Sequence, residues 1–482
     1  MLTHRFLLPL FFALLWADFF FAQTYFSRHY GEDTDNGKAL VQLDDGGFMT
    51  LGYVYGDTLG NQLQLNRFNA AGDVQWTKHY GNNKMDIAGG MIRMKNGNLV
   101  LFGGRTIAWG PPDSQDAFLL CIDLSGSVLW EKIIGKTIGP TYIYQIMETP
   151  DGNMVAVGST VPTGKSPQNF IAKLSNNSTL LWEKTFSTAN SPHGLTDVVI
   201  TPDGYYAMSG STTISVARTD AYLLVADTSG QVLWTQAYTT GKTAGVGTLL
   251  TAPGGGFLLA GDDSESGSNP HVLLIRTNPD GDTLWQRQYP VNGRYTTAYD
   301  GVEVPGQGFV MTGVIKGAPN VVGHRVYLLH VDYNGDMKWE REFEIEPPNG
   351  LQTSSAGYAI IRTSDGGFAI TGDWFNGVRK ELILIKTNAS GIVASGEATS
   401  TPDINIYPNP VGRERIIALD IPERATRVDI FAPAGQLILS ETLADAQQTI
   451  TLALPPSSAP GVYSVVLYDR SVRFFSEKVV VH

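Results

Sequence analysis

Short apolar runs separated by glycine-containing turns fill most of the chain, a pattern that predicts β-strands rather than helices. An apolar strand such as Tyr222 to Ala226 is followed by a polar turn and then by a tryptophan, four residues after a Gly or Ser. This element recurs at intervals of 51 to 54 residues, and its six tryptophans are Trp76, Trp130, Trp182, Trp234, Trp285 and Trp339. An interval this regular is typical of repeat architectures.

Each repeat also contains an earlier hairpin, with a glycine in its turn, an apolar strand and then a closing glycine. Seven copies occur, and their closing glycines are Gly52, Gly103, Gly158, Gly210, Gly261, Gly313 and Gly372. Two hairpins give four strands per unit of about 50 residues, and seven such units predict an all-β, seven-bladed β-propeller. Because a four-stranded sheet cannot bury both faces alone, we expect each tryptophan to fill the space between neighbouring blades.

The two ends of the repeat region are expected to close the ring. Residues 25–31 match the outer-strand ending Trp76 to Gly81, although no inner strands precede them. The seventh unit, conversely, has Ser395 where its tryptophan would stand. We therefore predict that the N-terminal segment supplies the fourth strand of the seventh blade. Such 3+1 closure would join the first and last blades and protect their edges.

The ends of the chain predict export. Residues 1–22 carry one positive charge before an apolar run from Phe6 to Trp16, which is typical of a signal peptide and short for a membrane span. The propeller then occupies residues 23–394, and the polar, small-residue stretch 395–402 is a linker. Residues 403–482 alternate apolar and polar positions between turns, which predicts a small Ig-like β-sandwich.

Four motifs follow one another in this last domain: Ile404 to Pro410, Val428 to Gln436, Pro460 to Tyr463 and Lys478 to Val481. Together they resemble the type A C-terminal sorting domain of the type IX secretion system of Bacteroidetes-type bacteria. The resemblance implies that the secretion machinery is a partner and that the protein is secreted or held at the cell surface after passing through the periplasm. By the same resemblance the sorting signal includes Tyr407, Pro408, Asn409, Pro410, Gly435, Gly461, Tyr463 and Lys478.

Composition narrows the function classes. The net charge is −12, with 46 acidic against 34 basic residues, which argues against binding to nucleic acid or to an anionic membrane. The single cysteine, Cys121, excludes an intramolecular disulfide and a cysteine-rich zinc module. Beyond the N-terminal run no segment has 18 consecutive apolar residues, so we expect no transmembrane segment in the mature protein.

No catalytic motif is recognisable, so we expect no catalytic residues, no metal site and no cofactor. The repeat resembles that of secreted bacterial Gly/Trp-repeat propellers, in which it implies a fold and not a reaction. The element from Ala226 to Trp234 is similar to the tryptophan-docking motif of pyrroloquinoline-quinone dehydrogenases. However, a single cysteine cannot supply the paired cysteines typical of those quinoproteins.

The variable connections between strands share one face of the ring, where propellers usually place binding residues. Five aromatic residues in these connections are candidates to stack on a sugar ring or a peptide side chain: Trp109, Trp374, Phe375, Tyr53 and Tyr55. Alternatively, they only cover loop backbone. We predict a binding or adhesion protein for a surface glycan or protein. The alternatives are a glycan-acting hydrolase or lyase, which converging carboxylates at the channel would favour, and a scaffold for a surface assembly.

Overall fold

The protein is described by a computed structural model. It describes residues 25–31, 36–56, 60–81, 86–108, 114–135, 138–186, 192–215, 218–265, 269–316, 323–345, 353–393 and, with short gaps, 406–481. The predicted signal peptide (1–22) and linker (395–402) lie outside these residues. All regular elements in the described part of the chain are strands, numbered β1 to β35 in chain order.

Six blades are formed by four strands consecutive in the sequence. Blades 1 and 2 contain β2–β5 (Ala39–Gln42, Phe48–Gly56, Gly60–Phe68, Val74–Tyr80) and β6–β9 (Asp86–Arg93, Leu99–Ala108, Ser114–Ile122, Val128–Ile134). Blades 3 and 4 contain β10–β13 (Thr141–Glu148, Met154–Thr160, Gln168–Leu174, Leu180–Phe186) and β14–β17 (Pro192–Ile200, Tyr206–Ser215, Arg218–Ala226, Val232–Tyr238). Blades 5 and 6 contain β18–β21 (Thr243–Thr251, Phe257–Ser264, His271–Thr277, Thr283–Tyr289) and β22–β25 (Thr296–Val304, Gly308–Lys316, His324–Val331, Met337–Phe343).

Blade 7 is completed from the other end of the chain. Its three consecutive strands are β26–β28 (Ser354–Arg362, Phe368–Phe375, Lys380–Thr387), and its outer strand is β1 (Phe26–Tyr30). β1 runs antiparallel to β28, with Phe26 opposite Lys386 and Tyr30 opposite Leu382. The predicted 3+1 closure of a seven-bladed propeller is therefore confirmed.

Apolar side chains bury one another between blades. Seven of the hydrophobic clusters each combine residues of two neighbouring blades, and together they go around the ring. The six repeat tryptophans lie against these clusters, one at each seam from blade 1/2 to blade 6/7. Phe26 takes the same place at the seam between blades 7 and 1. The predicted role of the tryptophans as plugs between blades is confirmed.

A tyrosine four residues after the plug adds a hydrogen bond across four of the seven seams. In each case the phenol hydroxyl donates to the backbone oxygen of the glycine in the next blade's second turn. The bonds, at 2.6 to 2.9 Å, are Tyr30 to Gly72, Tyr80 to Gly126, Tyr238 to Gly281 and Tyr289 to Gly335. The sequence pattern did not predict these bonds.

The closing glycines stand where the second strand of each blade passes a kink in the innermost strand. A Cβ at six of the seven would overlap a backbone oxygen of that innermost strand, such as that of Ala356 for Gly372 or Thr297 for Gly313. At Gly52 the overlapped oxygen is that of Asn36, just before the strand. In blades 2 to 7 the innermost strand has a register shift of one residue here, as between Ala298 and Asp300. The extra residue lets two successive side chains face the channel, where strict alternation would allow one.

The C-terminal strands form two small sheets with their own core. They are β29–β35 (Ile406–Tyr407, Ile416–Asp420, Arg427–Phe431, Leu437–Thr442, Thr449–Ala453, Gly461–Asp469, Val472–Val481). One sheet has the order β29-β30-β33 and the other β32-β31-β34-β35. Their hydrophobic cluster contains only residues of this part of the chain, among them Val428, Leu452 and Val465. The predicted small β-sandwich is confirmed.

Candidate functional site

The two faces of the ring differ in their connections. Turns from the first to the second and from the third to the fourth strand of a blade are short on one face, as at Gly46 and Gly72. The second-to-third connections and the crossings between blades share the opposite face, which we call the loop face. The loop face carries the variable segments, as the alternation of turns predicted.

A channel cavity of about 240 Å³ lies on the ring axis, and the innermost strands of all seven blades line it. Its lining includes pairs of successive residues at the register shifts, such as Thr196 with Asp197 and Tyr299 with Asp300. In blades 3, 4, 6 and 7 the irregular strand therefore brings two successive side chains to the channel lining.

Two carboxylates in this channel tie neighbouring blades together. Asp197 of blade 4 accepts bonds from the backbone N–H groups of Val198 and of Leu249 in blade 5, both at 2.7 Å. Asp300 of blade 6 accepts them from Gly301 at 2.8 Å and from Ile360 in blade 7 at 2.9 Å. Every carboxylate oxygen of the pair thus has a backbone donor, which is the arrangement of an inter-blade connector.

The Thr248 hydroxyl connects the two acids, at 3.0 Å from Asp197 Oδ2 and 3.4 Å from Asp300 Oδ1. Burial raises the pKa of Asp197 to about 6, against its backbone hydrogen bonds. Burial likewise raises the pKa of Asp300 to about 7, with a further contribution from the charge on Asp197. A proton on Asp300 can be donated to the Thr248 oxygen while Thr248 donates to Asp197, so the pair holds one proton readily near neutral pH.

A second cavity, of about 350 Å³, opens on the loop face between blades 6 and 7; we call it the mouth pocket. Its aromatic lining is formed by Tyr295, Tyr299, His324, Tyr358 and Phe375. Tyr299 and Tyr358 also line the channel cavity, so the two spaces adjoin at these side chains. Tyr299 and Tyr358 therefore lie between the aromatic pocket on the loop face and the polar groups on the axis.

The tyrosines of the mouth pocket pack on each other and on charged groups. The ring centroids of Tyr299 and Tyr358 are 5.4 Å apart and tilted by 40°. The Lys38 ammonium of blade 1 lies 3.8 Å from the centroid of the Tyr358 ring, in cation–π contact. Asp373 Oδ2 accepts from the Tyr358 hydroxyl at 3.3 Å and from Lys380 Nζ at 2.7 Å. Burial raises the pKa of both tyrosines, so their hydroxyls stay protonated and can donate.

The structure brings only part of the predicted aromatic site to this pocket. Phe375 lines the mouth pocket and is 37% exposed. Tyr53 is half-buried in β3 and is not among the residues that line this pocket. Trp374 corrects the expectation: it is 1% exposed, packs in the blade 6/7 cluster and stacks on His29 at 4.5 Å, so its ring presents no face to a ligand. Trp109 and the side chain of Tyr55 lie outside the described residues.

The second expectation to correct concerns the loops at Tyr53 and Trp374. Both segments continue as hairpins, with Tyr53 opposite Leu63 and Trp374 opposite Glu381. Pairing satisfies backbone groups that a loop would leave to water, and alternation then turns Trp374 inward and Phe375 outward.

Four residues that line the channel cavity were not predicted, although the sequence holds a signal for them. Lys38, Tyr144, Tyr299 and Tyr358 each stand 14 residues before the closing glycine of their blade. This distance is constant because the first hairpin has the same length in all seven blades. Counting back from the closing glycine would therefore have found the channel-lining positions.

The comparisons with known proteins separate the two parts of the chain. Residues 405–482 match the family described as "Secretion system C-terminal sorting domain". This part of the chain is a type IX secretion sorting domain. It implies interaction with the secretion machinery, and it indicates export to the cell surface or the surroundings. A search of curated proteins found no significant match.

Within the sorting domain the structure describes some of the predicted signal residues. Tyr407 is 48% exposed in β29, and Tyr463 is buried, with its hydroxyl donating to the Ala459 oxygen at 2.7 Å. Gly461 begins β34, and Lys478 lies in β35 opposite Ser464. Pro408, Asn409, Pro410 and Gly435 lie outside the described residues, as does the side chain of Lys478.

Several solved structures are similar to this chain at low sequence identity. PorZ, a surface component of the type IX secretion system of Porphyromonas gingivalis, matches with a TM-score of 0.36 and 11% identity, over 91% of this chain and 69% of its own. The β-propeller domain of the Trilobed protease from Pyrococcus furiosus matches with a TM-score of 0.43 and 9% identity, over 76% and 100% of the two chains. The periplasmic gluconolactonase PpgL from Pseudomonas aeruginosa gives 0.43 and 13%, over 64% and 85%. None of these similarities bears on activity.

No helix in the part of the chain that the structure describes is both long and apolar enough to cross a membrane. Within those residues there is also no group of three or more His, Cys, Asp or Glu side chains placed to hold a metal ion.

Proposed function

We propose that this exported propeller is a binding or adhesion protein that takes its ligand in the mouth pocket of the loop face. In this proposal residues 1–22 are a signal peptide, residues 23–394 bind the ligand, residues 395–402 are a linker, and residues 403–482 are the sorting domain. The ligand is a glycan or a protein group at the cell surface.

The observation that carries the proposal is the aromatic lining of a cavity on the face with variable connections. Tyr295, Tyr299, Tyr358 and Phe375 converge on about 350 Å³, within the size range of about 300–1,000 Å³ typical of small-ligand sites. Flat aromatic faces with a few polar groups suit stacking and orientation of a ligand. In this site Tyr295, Tyr299 and Tyr358 supply the stacking faces that the sequence had led us to expect from Trp374.

The hydrolase or lyase alternative is favoured by one observation, the two channel acids with raised pKa values. A general acid and a general base must reach the substrate with a free oxygen. Each of the four oxygens of Asp197 and Asp300 is held in place by a backbone N–H group, two of which belong to the next blade, so their geometry favours a structural role.

The test is binding of the purified protein to a glycan and peptide array, with wild type, Phe375→Ala and Tyr295→Ala. We expect the signal of any bound ligand to fall about tenfold or more for both variants, since each removes a stacking face. The matched control is Tyr205→Ala, because Tyr205 is similarly exposed (39%) but lies in a turn on the opposite face. Binding that survives both mouth substitutions would exclude this pocket.

The same preparation tests the enzyme alternative. Incubation with a panel of polysaccharides, followed by a reducing-end assay, should give no product above the blank. Turnover that is lost in Asp300→Asn, at unchanged melting temperature, would instead favour the hydrolase or lyase.

A further inference from the structure

The mouth pocket adjoins a lysine that the repeat pattern does not explain, and the chemistry of that lysine bears on the ligand. The following inference rests on the proposed binding function. Lys38 precedes β2 in blade 1 and lines the channel cavity next to Tyr358. Its counterparts in blades 2 and 5, at the same distance before the closing glycine, are glycines, so the blade fold does not require a lysine here.

The Lys38 ammonium has little compensation for its partial burial. Among the described residues no carboxylate lies within ion-pair distance of it, and its close contact is the face of the Tyr358 ring. Lys380, by contrast, pairs with Asp373 at 2.7 Å. Burial lowers the pKa of Lys38, opposed by the charge of Asp373 and supported by that of Lys380. An anion beside Lys38 would therefore gain a charge-assisted hydrogen bond.

The two acids of the channel, unlike Lys38, already have hydrogen-bond partners. The oxygens of Asp197 and Asp300 each accept a backbone N–H group, so these acids are stabilised by hydrogen bonds without a ligand. Of the charged side chains that line the channel cavity, that of Lys38 is the one without a hydrogen-bond or ion-pair partner among the described residues, and its charge is positive. This asymmetry favours an anionic ligand over a cationic one.

The shape and lining of the mouth pocket indicate what carries the anion. Tyr295, Tyr299 and Phe375 supply faces against which a ring can stack, and Ser354 adds a hydroxyl. The cavity lies near the lower end of the range for small-ligand sites, which suits one or two rings better than an extended peptide segment.

We infer that the ligand is an acidic saccharide, whose sugar ring packs against the mouth tyrosines and whose carboxylate pairs with Lys38 Nζ. The ring occupies the aromatic pocket on the loop face, and the acidic group reaches the polar end where the pocket meets the channel at Tyr299 and Tyr358. The α-carboxylate of a peptide is the competing source of the same anion.

The experiment is calorimetric titration with digalacturonate, with its fully methyl-esterified form and with a tripeptide. The ester keeps the rings and removes the charge, so the comparison isolates the carboxylate. Three proteins are compared: wild type, Lys38→Met, which keeps most of the apolar stem, and Lys338→Met as control. Lys338 pairs with Asp332 in a turn on the opposite face.

We expect wild type and Lys338→Met to bind digalacturonate at least about tenfold more tightly than the ester, and Lys38→Met to lose this preference. Lys38→Arg, which retains the charge, should keep part of it. The wild-type comparison of acid and ester is decisive even if Lys38→Met proves unstable.

Equal binding of acid and ester by wild type, or a preference that persists in Lys38→Met, would overturn the inference and leave the proposed binding function standing. Binding of the tripeptide in place of the saccharide would overturn the saccharide as the source of the anion. If no array ligand binds at all, the proposed function itself fails. Each failure is therefore distinguishable from the others.

Discussion

The seam that closes the ring, between blades 7 and 1, uses the same contacts as a seam in continuous chain, between blades 5 and 6. In both, an aromatic plug lies against a turn glycine, an arginine two residues later pairs with an aspartate, and a tyrosine four residues later bonds the glycine oxygen. At the closing seam these contacts are made by Phe26, by Arg28 with Asp73 (2.6 Å) and by Tyr30 with Gly72 (2.6 Å). At the seam between blades 5 and 6 they are made by Trp285, by Arg287 with Asp336 (2.5 Å) and by Tyr289 with Gly335 (2.7 Å).

The two seams differ in two ways. The continuous seam has the larger plug, and Trp285 Nε1 also donates to the Tyr333 oxygen at 3.0 Å, which a phenylalanine cannot do. The closing strand, moreover, is joined to blade 7 by pairing with β28 and by the contacts of His29 with Trp374 and Glu381, and not by a turn. Closure must therefore offset the loss of chain entropy around the whole ring with a slightly smaller set of contacts. We expect the closing seam to open first.

The largest expected effect is loss of the closing strand. Deleting residues 23–31 removes the five residue pairs between β1 and β28 together with Phe26 and Tyr30. It also leaves β28 as an open edge. We expect the melting temperature, followed by circular dichroism, to fall by about 10 °C or more. A chain beginning at Tyr25 is the control and should melt like the full mature protein. An unchanged melting temperature after the deletion would contradict closure as a stabilising element.

The second prediction concerns a connection across the continuous seam between blades 6 and 7. Asp300 accepts from Ile360 there and has its pKa raised to about 7 by burial. The folded protein therefore retains a proton that the unfolded chain releases above about pH 4. Stability should fall as pH rises from about 4 to about 7, by a few kcal/mol for this group at most.

Asp300→Asn removes that titration, so its unfolding free energy should vary less over this pH range than that of wild type. Denaturant unfolding at pH 4.5, 6 and 8 measures the slope of the unfolding free energy against pH. The slope is compared rather than the free energy at one pH, because the amide loses one hydrogen bond at every pH. Asp203→Asn, at an exposed turn position, should keep the wild-type slope. The same slope in Asp300→Asn would show that this acid does not hold the proton.

The smallest effect compares the two seams directly. Tyr30→Phe and Tyr289→Phe each remove one hydrogen bond to a glycine oxygen and leave the ring in place. We expect each to cost about 1 kcal/mol of unfolding free energy, measured with denaturant. Tyr205→Phe, on an exposed tyrosine, should cost nothing measurable. A loss for Tyr289→Phe without one for Tyr30→Phe would mean that the tyrosine hydrogen bond does not stabilise the closing seam.

The fold was predictable because its determinants are local and repeated seven times. Turn positions illustrate this: six of the seven second turns have glycine, and the seventh has Ser178, which adopts the same positive φ of 71°. The repeat geometry imposes this conformation on a residue that rarely adopts it, at a cost of about 1–2 kcal/mol. Pattern, in this case, outweighs the preference of the individual residue.

The candidate site was predictable only in outline. The choice of the loop face followed from the alternation of turns, and Phe375 does line a pocket there. Trp374 did not follow, because burial depends on whether a segment continues as a hairpin, and its pairing with Glu381 is not visible in composition. Tyr358 and Lys38 lie far apart in the sequence and meet only because the ring closes.

The sequence by itself determined the number of blades, the closing strand and the C-terminal sorting domain, since each is written in contiguous residues with a fixed spacing. Only the tertiary structure decided which side chains share the mouth pocket, which acids join blades and why the closing glycines cannot be replaced. These properties arise between elements that are neighbours in space and not in sequence, where register shifts, close backbone approach and burial set the chemistry of each group.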